Sequence, residues 1–143
     1  MIRRFLRLSR SDRRLTARIV LLLAAIRLGL WVLPFSTLRR QLRTSIPAAA
    51  CPSALVAVPV ERLANLVQAC SRVVPGATCL TQSLAVQFLL GRAGHPSVIR
   101  IGVARNNVRG FEAHAWVDCQ GQVLLDRSAD IARYRILASF PAA

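Results

Sequence analysis

The sequence predicts an α+β fold, and three observations carry that prediction. Apolar residues recur at helical spacing through the first two-thirds of the chain. They alternate every second residue from Ile99 onward. The change of period falls at Gly94-His95-Pro96, through which no helix continues. Helices first and an antiparallel meander afterwards is an α+β layout.

Taken in order, Ser9 or Ser11 can cap a first helix, and Asp12 is favourable in its first turn. Leu15, Ile19, Leu22, Leu23, Ile26 and Leu30 mark its apolar face, and Pro34 ends it. A short second helix is expected over Thr37–Arg43. Ile46–Pro59, rich in Ala and Pro, reads as a loop or linker. The organisation expected is therefore basic amphipathic helices over 1–45 and a core over 46–143. Pro59 suits the first position of a third helix, with Leu63, Leu66, Val67, Cys70 and Val74 facing inward. Pro75-Gly76 breaks the chain. A fourth helix is expected from Thr78 or Cys79 to about Arg92, with Leu80, Leu84, Phe88 and Leu89 inward. Ile99, Ile101 and Val103 alternate as one strand. Phe111 to Val117 alternate as a second, with Glu112, His114, Trp116 and Asp118 on the other face. Cys119-Gln120-Gly121 reads as a turn and Gln122–Asp126 as a third strand. Ile131–Phe140 reads equally as helix or strand.

The chain has 143 residues, enough for one domain with a core that needs no disulfides. Its net charge is +14, carried entirely by Arg, since no Lys is present. Eleven of the twenty Arg lie in the first 43 residues, against one acid, Asp12. Such a segment suits a solvated face, an acidic protein or anionic lipid. Nucleic acid is disfavoured, because the Arg are not interleaved with aromatics and no recognition motif appears. The hydrophobic fraction of 54% is high for a soluble protein. It implies either a compact apolar core or apolar surface facing a partner or membrane. The run Ile19–Leu33 resembles a signal segment, but its 15 residues contain Arg27 and fall short of the ~20 that span a bilayer. The expectation is a cytoplasmic protein with reduced thiols, in which a basic amphipathic helix allows peripheral membrane contact. No C-x-x-C pair and no phosphate-binding Gly-rich loop occurs, so neither a metal nor a nucleotide cofactor is expected.

The residues that carry chemistry begin with Cys79, which follows Pro-Gly-Ala-Thr and opens the fourth helix. Free amides at a helix N-terminus favour negative charge and can lower a thiol pKa from about 8.5 into a range of about 3.5–7.5. The same amides can hold an oxyanion. The plainer reading of any single Cys, including Cys51, Cys70 and Cys119, is a small buried hydrophobe. A thiol nucleophile needs a base, and that base needs an orienting group. His95 sits in a turn, whereas His114 lies mid-strand on the polar face. A three-residue loop at Cys119-Gln120-Gly121 would pair His114 with Asp126, their Cβ atoms about 4.5–5.5 Å apart. A two-residue loop at Gln120-Gly121 would shift the register and separate their faces. The chemistry therefore predicts the odd-length loop. Asp118 and Glu112 are the alternative orienters. Gln82, one turn into the Cys79 helix, and Trp116 are candidates to line the substrate site. A metal held by Cys79, His114 and Cys119 lacks ligand spacing.

Thr-Cys79-Leu-Thr-Gln-Ser-Leu-Ala-Val-Gln-Phe-Leu-Leu, Gly94-His-Pro-Ser, Glu-Ala-His114-Ala-Trp-Val-Asp and Val-Leu-Leu-Asp126 resemble the transglutaminase-like leader peptidases of lasso-peptide biosynthesis. The likeness covers about residues 60–127 and extends to the Arg- and Leu-rich helices with Leu-Pro-Phe at 33–35. It implies a transglutaminase-like, papain-like cysteine protease core. Cys79 would be the nucleophile, His114 the general base and Asp126 the orienting acid. The implied activity is removal of the leader from a ribosomally made precursor peptide, before a separate asparagine-synthetase-like cyclase closes the macrolactam. It also implies a separate small leader-recognition protein as partner, since the chain is too short to carry that domain. His95 departs from the aliphatic residue often found before this Pro.

Overall fold

A computed structural model describes residues 10–46, 55, 57–106, 110–125 and 129–142. Among these residues four helices precede a four-stranded antiparallel sheet. The helices are α1 (Arg10–Val32), α2 (Phe35–Thr44), α3 (Val60–Ser71) and α4 (Cys79–Arg92). The strands are β1 (Val98–Asn106), β2 (Gly110–Cys119), β3 (Gln122–Leu124) and β4 (Arg135–Pro141), with a 3-10 turn at Ala129–Arg133 before β4. The sheet order is β3-β2-β1-β4. The last strand thus returns to pair with β1 on the far side and does not extend the meander. The ambiguous tail resolves into turn and strand, because β1 offers β4 an open edge.

Helix boundaries follow local chemistry. Pro34 separates α1 from α2, and the packing there is close: a Cβ on Gly29 would meet Leu38 Cδ1 at 2.7 Å, so Gly29 lets the two helices touch. Pro59 stands at the N-cap of α3, one residue before the helix proper. Thr78 is the extended N-cap of α4, with φ −78° and ψ 173°.

One hydrophobic cluster joins both layers. Ile19, Leu23 and Ile26 of α1 are fully buried against Leu63 and Val67 of α3 and Leu84, Val86 and Leu90 of α4. Ile99, Val117, Cys119 and Leu124 complete it from the sheet. The expected inward set of α4 is too narrow. Thr81, Ser83, Leu84, Ala85, Val86, Gln87, Leu89 and Leu90 are all buried, while Phe88 is half-exposed. The reason is that α4 is covered by α1, α3 and β2 together, so no single stripe describes it.

The β2–β3 hairpin differs from the expected one. Cys119 pairs with Gln122, which leaves a two-residue loop of Gln120 and Gly121. Their φ values of 54° and 83° are the two positive angles that suit a tight hairpin between twisted strands. The Asp118 carboxylate accepts the Gly121 N–H at 3.0 Å and closes the turn. The ladder then ends at Leu124, two residues before the expected end. Leu125 follows with φ 72°, a left-handed conformation uncommon for leucine. Val117, and not Trp116 as the three-residue loop would have it, is therefore the partner of Leu124, and His114 has no ladder partner among the described residues of β3. Asp126 itself lies outside the described residues.

Helix α1 also corrects an expectation. The stretch Asp12–Val32 is a continuous 21-residue helix, long and apolar enough to cross a membrane. The 15-residue run counted from the sequence understates it, because the helix extends back past Arg18 to include Leu15, Thr16 and Ala17. A core helix of a soluble protein and a signal sequence pass the same test; this helix buries Thr16, Ile19, Leu23 and Ile26 and leaves the rest of its described residues exposed or half-exposed.

That asymmetry makes a direct test. Leu23 has no exposure and Leu21 is 70% exposed. Leu23→Ala should cost about 2–5 kcal/mol in denaturant unfolding. Leu21→Ala should stay within about 0.5 kcal/mol of the parent.

Candidate active site

Cys79 is the first residue of α4, and of the described cysteines it alone is not buried. The turn before it is braced from three sides. Gly76 takes φ 71°, and the Arg27 guanidinium packs so closely on it that a Cβ there would meet Nε at 2.8 Å. The Gln82 amide donates to the Ala77 carbonyl at 3.4 Å. The Gln82 backbone N–H donates to the Thr78 carbonyl at 3.0 Å. Thr78 makes no side-chain cap hydrogen bond, and its hydroxyl lies 3.4 Å from that of Thr81. The first-turn amides are thus not taken by the cap, and they remain able to stabilise negative charge beside the sulfur.

His114 lies in β2, directly opposite Gly102 of β1. Strand alternation sends Ala115, Val117 and Cys119 into the core and His114, Trp116 and Asp118 to the other parity. The imidazole is half-buried between two aromatic rings. Trp116 stacks at 6.2 Å with an interplanar angle of 21°, and Tyr134 lies at 5.5 Å. Trp116 is itself only 2% exposed. It fits because Gly102 lacks a Cβ, which would meet the indole at 3.0 Å. Trp116 thus serves as a support under His114 and offers little surface of its own.

The alternative orienters are engaged elsewhere. Asp118 pairs with Arg100 at 3.3 Å and closes the hairpin turn. Glu112 pairs with Arg133 at 3.1 Å. The same guanidinium lies over the Tyr134 ring and donates to its hydroxyl at 3.1 Å. Beyond Arg133, a recess of about 570 Å³ opens between Val103, Arg105, Phe111, Arg135, Ile136 and Leu137.

Elements α4 and β2 pack against each other, so the structure sets Cys79 and His114 on two touching elements. Two residues near the site were not legible as such. Arg27 read as an obstacle to membrane insertion, yet it props the Cys79 turn. Tyr134 lay in the ambiguous tail, and only the fold brings it to His114. The one signal for Arg27 was its isolation in an apolar helix, which calls for a buried partner.

The other cysteines are set apart electrostatically. Burial pushes the Cys70 thiol above its ordinary range. Burial, then the charges of Asp118 and Glu61, does the same for Cys119. Cys51 lies outside the described residues.

A half-exposed cysteine that opens a buried helix, packed against an antiparallel sheet that carries a histidine, makes this an α+β domain with a candidate thiol site. The chain matches the family model described as the transglutaminase-like superfamily over residues 20–139, and it belongs to that family. No curated protein and no solved structure matches it. Membership supports a cysteine-protease or acyltransferase type of function, and members of the family are usually catalytic.

Raised thiol pKa values mean less thiolate at any given pH, so Cys70 and Cys119 should resist alkylation. Peptide mapping after brief iodoacetamide treatment near neutral pH should find Cys79 labelled well ahead of both. Raising the pH should bring Cys70 and Cys119 up late. Equal labelling of all three in the folded protein would contradict this placement.

Proposed function

We propose that the chain is a cysteine peptidase that removes the leader from a ribosomally synthesised lasso-peptide precursor. The observation that carries the reading is Cys79, half-exposed at the N-terminus of α4, on a helix packed against the strand that bears His114. The motifs around both residues resemble the leader peptidases, and the shared family supports the same type of chemistry.

In this reading His114 accepts the Cys79 proton, and the sulfur attacks the carbonyl carbon of the scissile peptide bond. The resulting oxyanion is held by first-turn amides of α4. His114 then returns the proton to the leaving amine, and the peptide C–N bond breaks to leave a thioester. Water, deprotonated by His114, attacks the thioester. The acid is released and the thiol regenerated. Asp126 is proposed to accept the second imidazole N–H and fix the tautomer. With Leu125 at φ 72°, the chain leaves the strand period just before it, so Asp126 need not follow ladder parity to reach the ring.

Gln82 holds the Cys79 turn through Ala77, and Trp116 supports the His114 ring; both are proposed to shape the substrate site in this indirect way. The proposed partners are the precursor peptide, a separate small leader-recognition protein, and the asparagine-synthetase-like cyclase that receives the product. The proposed compartment is the cytoplasm. Acyl transfer to an amine is the second reading, since the same thioester serves either acceptor and the family includes that chemistry type.

Mass spectrometry of precursor cleavage tests this. Cys79→Ala should abolish cleavage. His114→Ala and Asp126→Asn should each slow it by roughly 10²–10⁴-fold while the circular dichroism spectrum is retained. Undiminished cleavage by Cys79→Ala would reject both hydrolysis and acyl transfer. Mass adducts of an added amine, formed in place of the free acid, would select acyl transfer.

A further inference from the structure

Helix α1 has two apolar faces, and among the described residues the fold covers only one. Ile19, Leu23 and Ile26 are buried against α3 and α4. On the opposite side Leu21, Leu28, Trp31 and Val32 are 61–79% exposed, at helical spacing along one stripe with the exposed Ala25 between them. The stripe continues toward the N-terminus as exposed Arg18 and Arg14. An uncovered aliphatic surface three turns long is unfavourable in water.

We propose that this face seats the protein on an anionic phospholipid bilayer, with α1 lying in the plane of the interface. Charge selects the occupant. A second copy would bring another chain of net charge +14, with its own Arg14 and Arg18, onto the same row. Anionic headgroups are complementary to it. From Leu21 to Val32 the exposed stripe carries no hydrogen-bonding side chain except the Trp31 indole, unlike the usual mixture at a protein interface. Trp31 has the amphipathic ring favoured at headgroup depth, and the Arg27 guanidinium rests over it at 5.1 Å. Although α1 is long enough to span a bilayer, crossing would strip Ile19, Leu23 and Ile26 from the core. Lying flat keeps that face in the protein and gives the other to the acyl boundary.

The test uses the full chain with vesicles of phosphatidylcholine alone or with one-third phosphatidylglycerol. Co-sedimentation should require phosphatidylglycerol. Trp31 emission should move to the blue on binding, while Trp116, buried already, contributes a constant background. Lipids brominated on the upper acyl chain should quench the wild-type emission, and this quenching should vanish in Trp31→Phe. The double variant Leu21→Glu/Leu28→Glu should bind about tenfold or more weakly. Arg14→Gln and Arg18→Gln should each weaken binding about fivefold. Failure of the wild type to bind, or binding without quenching, overturns the proposal. So does full binding by the double Glu variant with its helicity intact. A wild-type dimer that this variant dissolves, without vesicle binding, assigns the face to a second copy instead.

Discussion

The burial of α4 on nearly every side is the constraint from which the rest of the structure follows. A helix enclosed by α1, α3 and β2 has no freedom to slide or rotate without opening voids in a close-packed interior. Its polar residues are recruited to hold it as well. Buried Gln87 donates to the Phe140 carbonyl at 2.8 Å and to that of Ser97 at 3.4 Å, which ties the helix to β4 and to the residue before β1. Its first turn reaches the surface, and Cys79 is there. A sulfur at the end of such a helix is held in position by the whole core, which is the kind of fixed placement that covalent chemistry exploits.

The histidine is held by a different device. On β2 the core-facing parity is filled by Ala115, Val117 and Cys119, so His114 takes the other parity, where packing must be built from aromatics. Gly102 makes room for Trp116, Trp116 stacks on His114, and Tyr134 closes from the tail. Arg133 holds Tyr134 through its hydroxyl and ring while pairing with Glu112. The imidazole is thus oriented by neighbours drawn from β1, β2 and the segment before β4. Losing any one of them loosens a ring rather than removing a reacting group.

Local patterns were legible where one residue type settles one local choice. Pro34 ends α1, α4 starts at Thr78-Cys79, and Ile99, Ile101 and Val103 announce β1. The position of Cys79 at a helix start and of His114 on its strand parity were legible because both are local properties. What failed depends on contacts distant in sequence. The two-residue hairpin wins because Gln120 tolerates a positive φ and Asp118 closes the turn, whereas the three-residue loop was inferred from what the chemistry would need. The left-handed Leu125 carries no signal of glycine or asparagine that would announce it. The burial of Thr81, Ser83 and Gln87 was hidden because small and polar residues in a helix normally mark its wet side. Tyr134 became visible only once β4 was seen to return to β1.

The N-terminal helix binds these themes, because it cannot be treated as an accessory segment. Its inner face supplies Ile19, Leu23 and Ile26 to the cluster that encloses α4, and its Arg27 side chain packs on the turn that presents Cys79. Removing α1 would uncover Leu63, Val67 and Leu90 and release Gly76 at once. A truncated chain would then lose the packing that places the Cys79 turn, whatever the outer face touches. The roles of the two faces are separable only by substitutions that spare the inner one. Leu21 and Leu28 satisfy that condition because neither contributes to the buried cluster, while Arg27 does not, since the same side chain meets Trp31 on one side and Gly76 on the other. That shared arginine places the exposed stripe one residue away, in contact terms, from the turn that carries the sulfur.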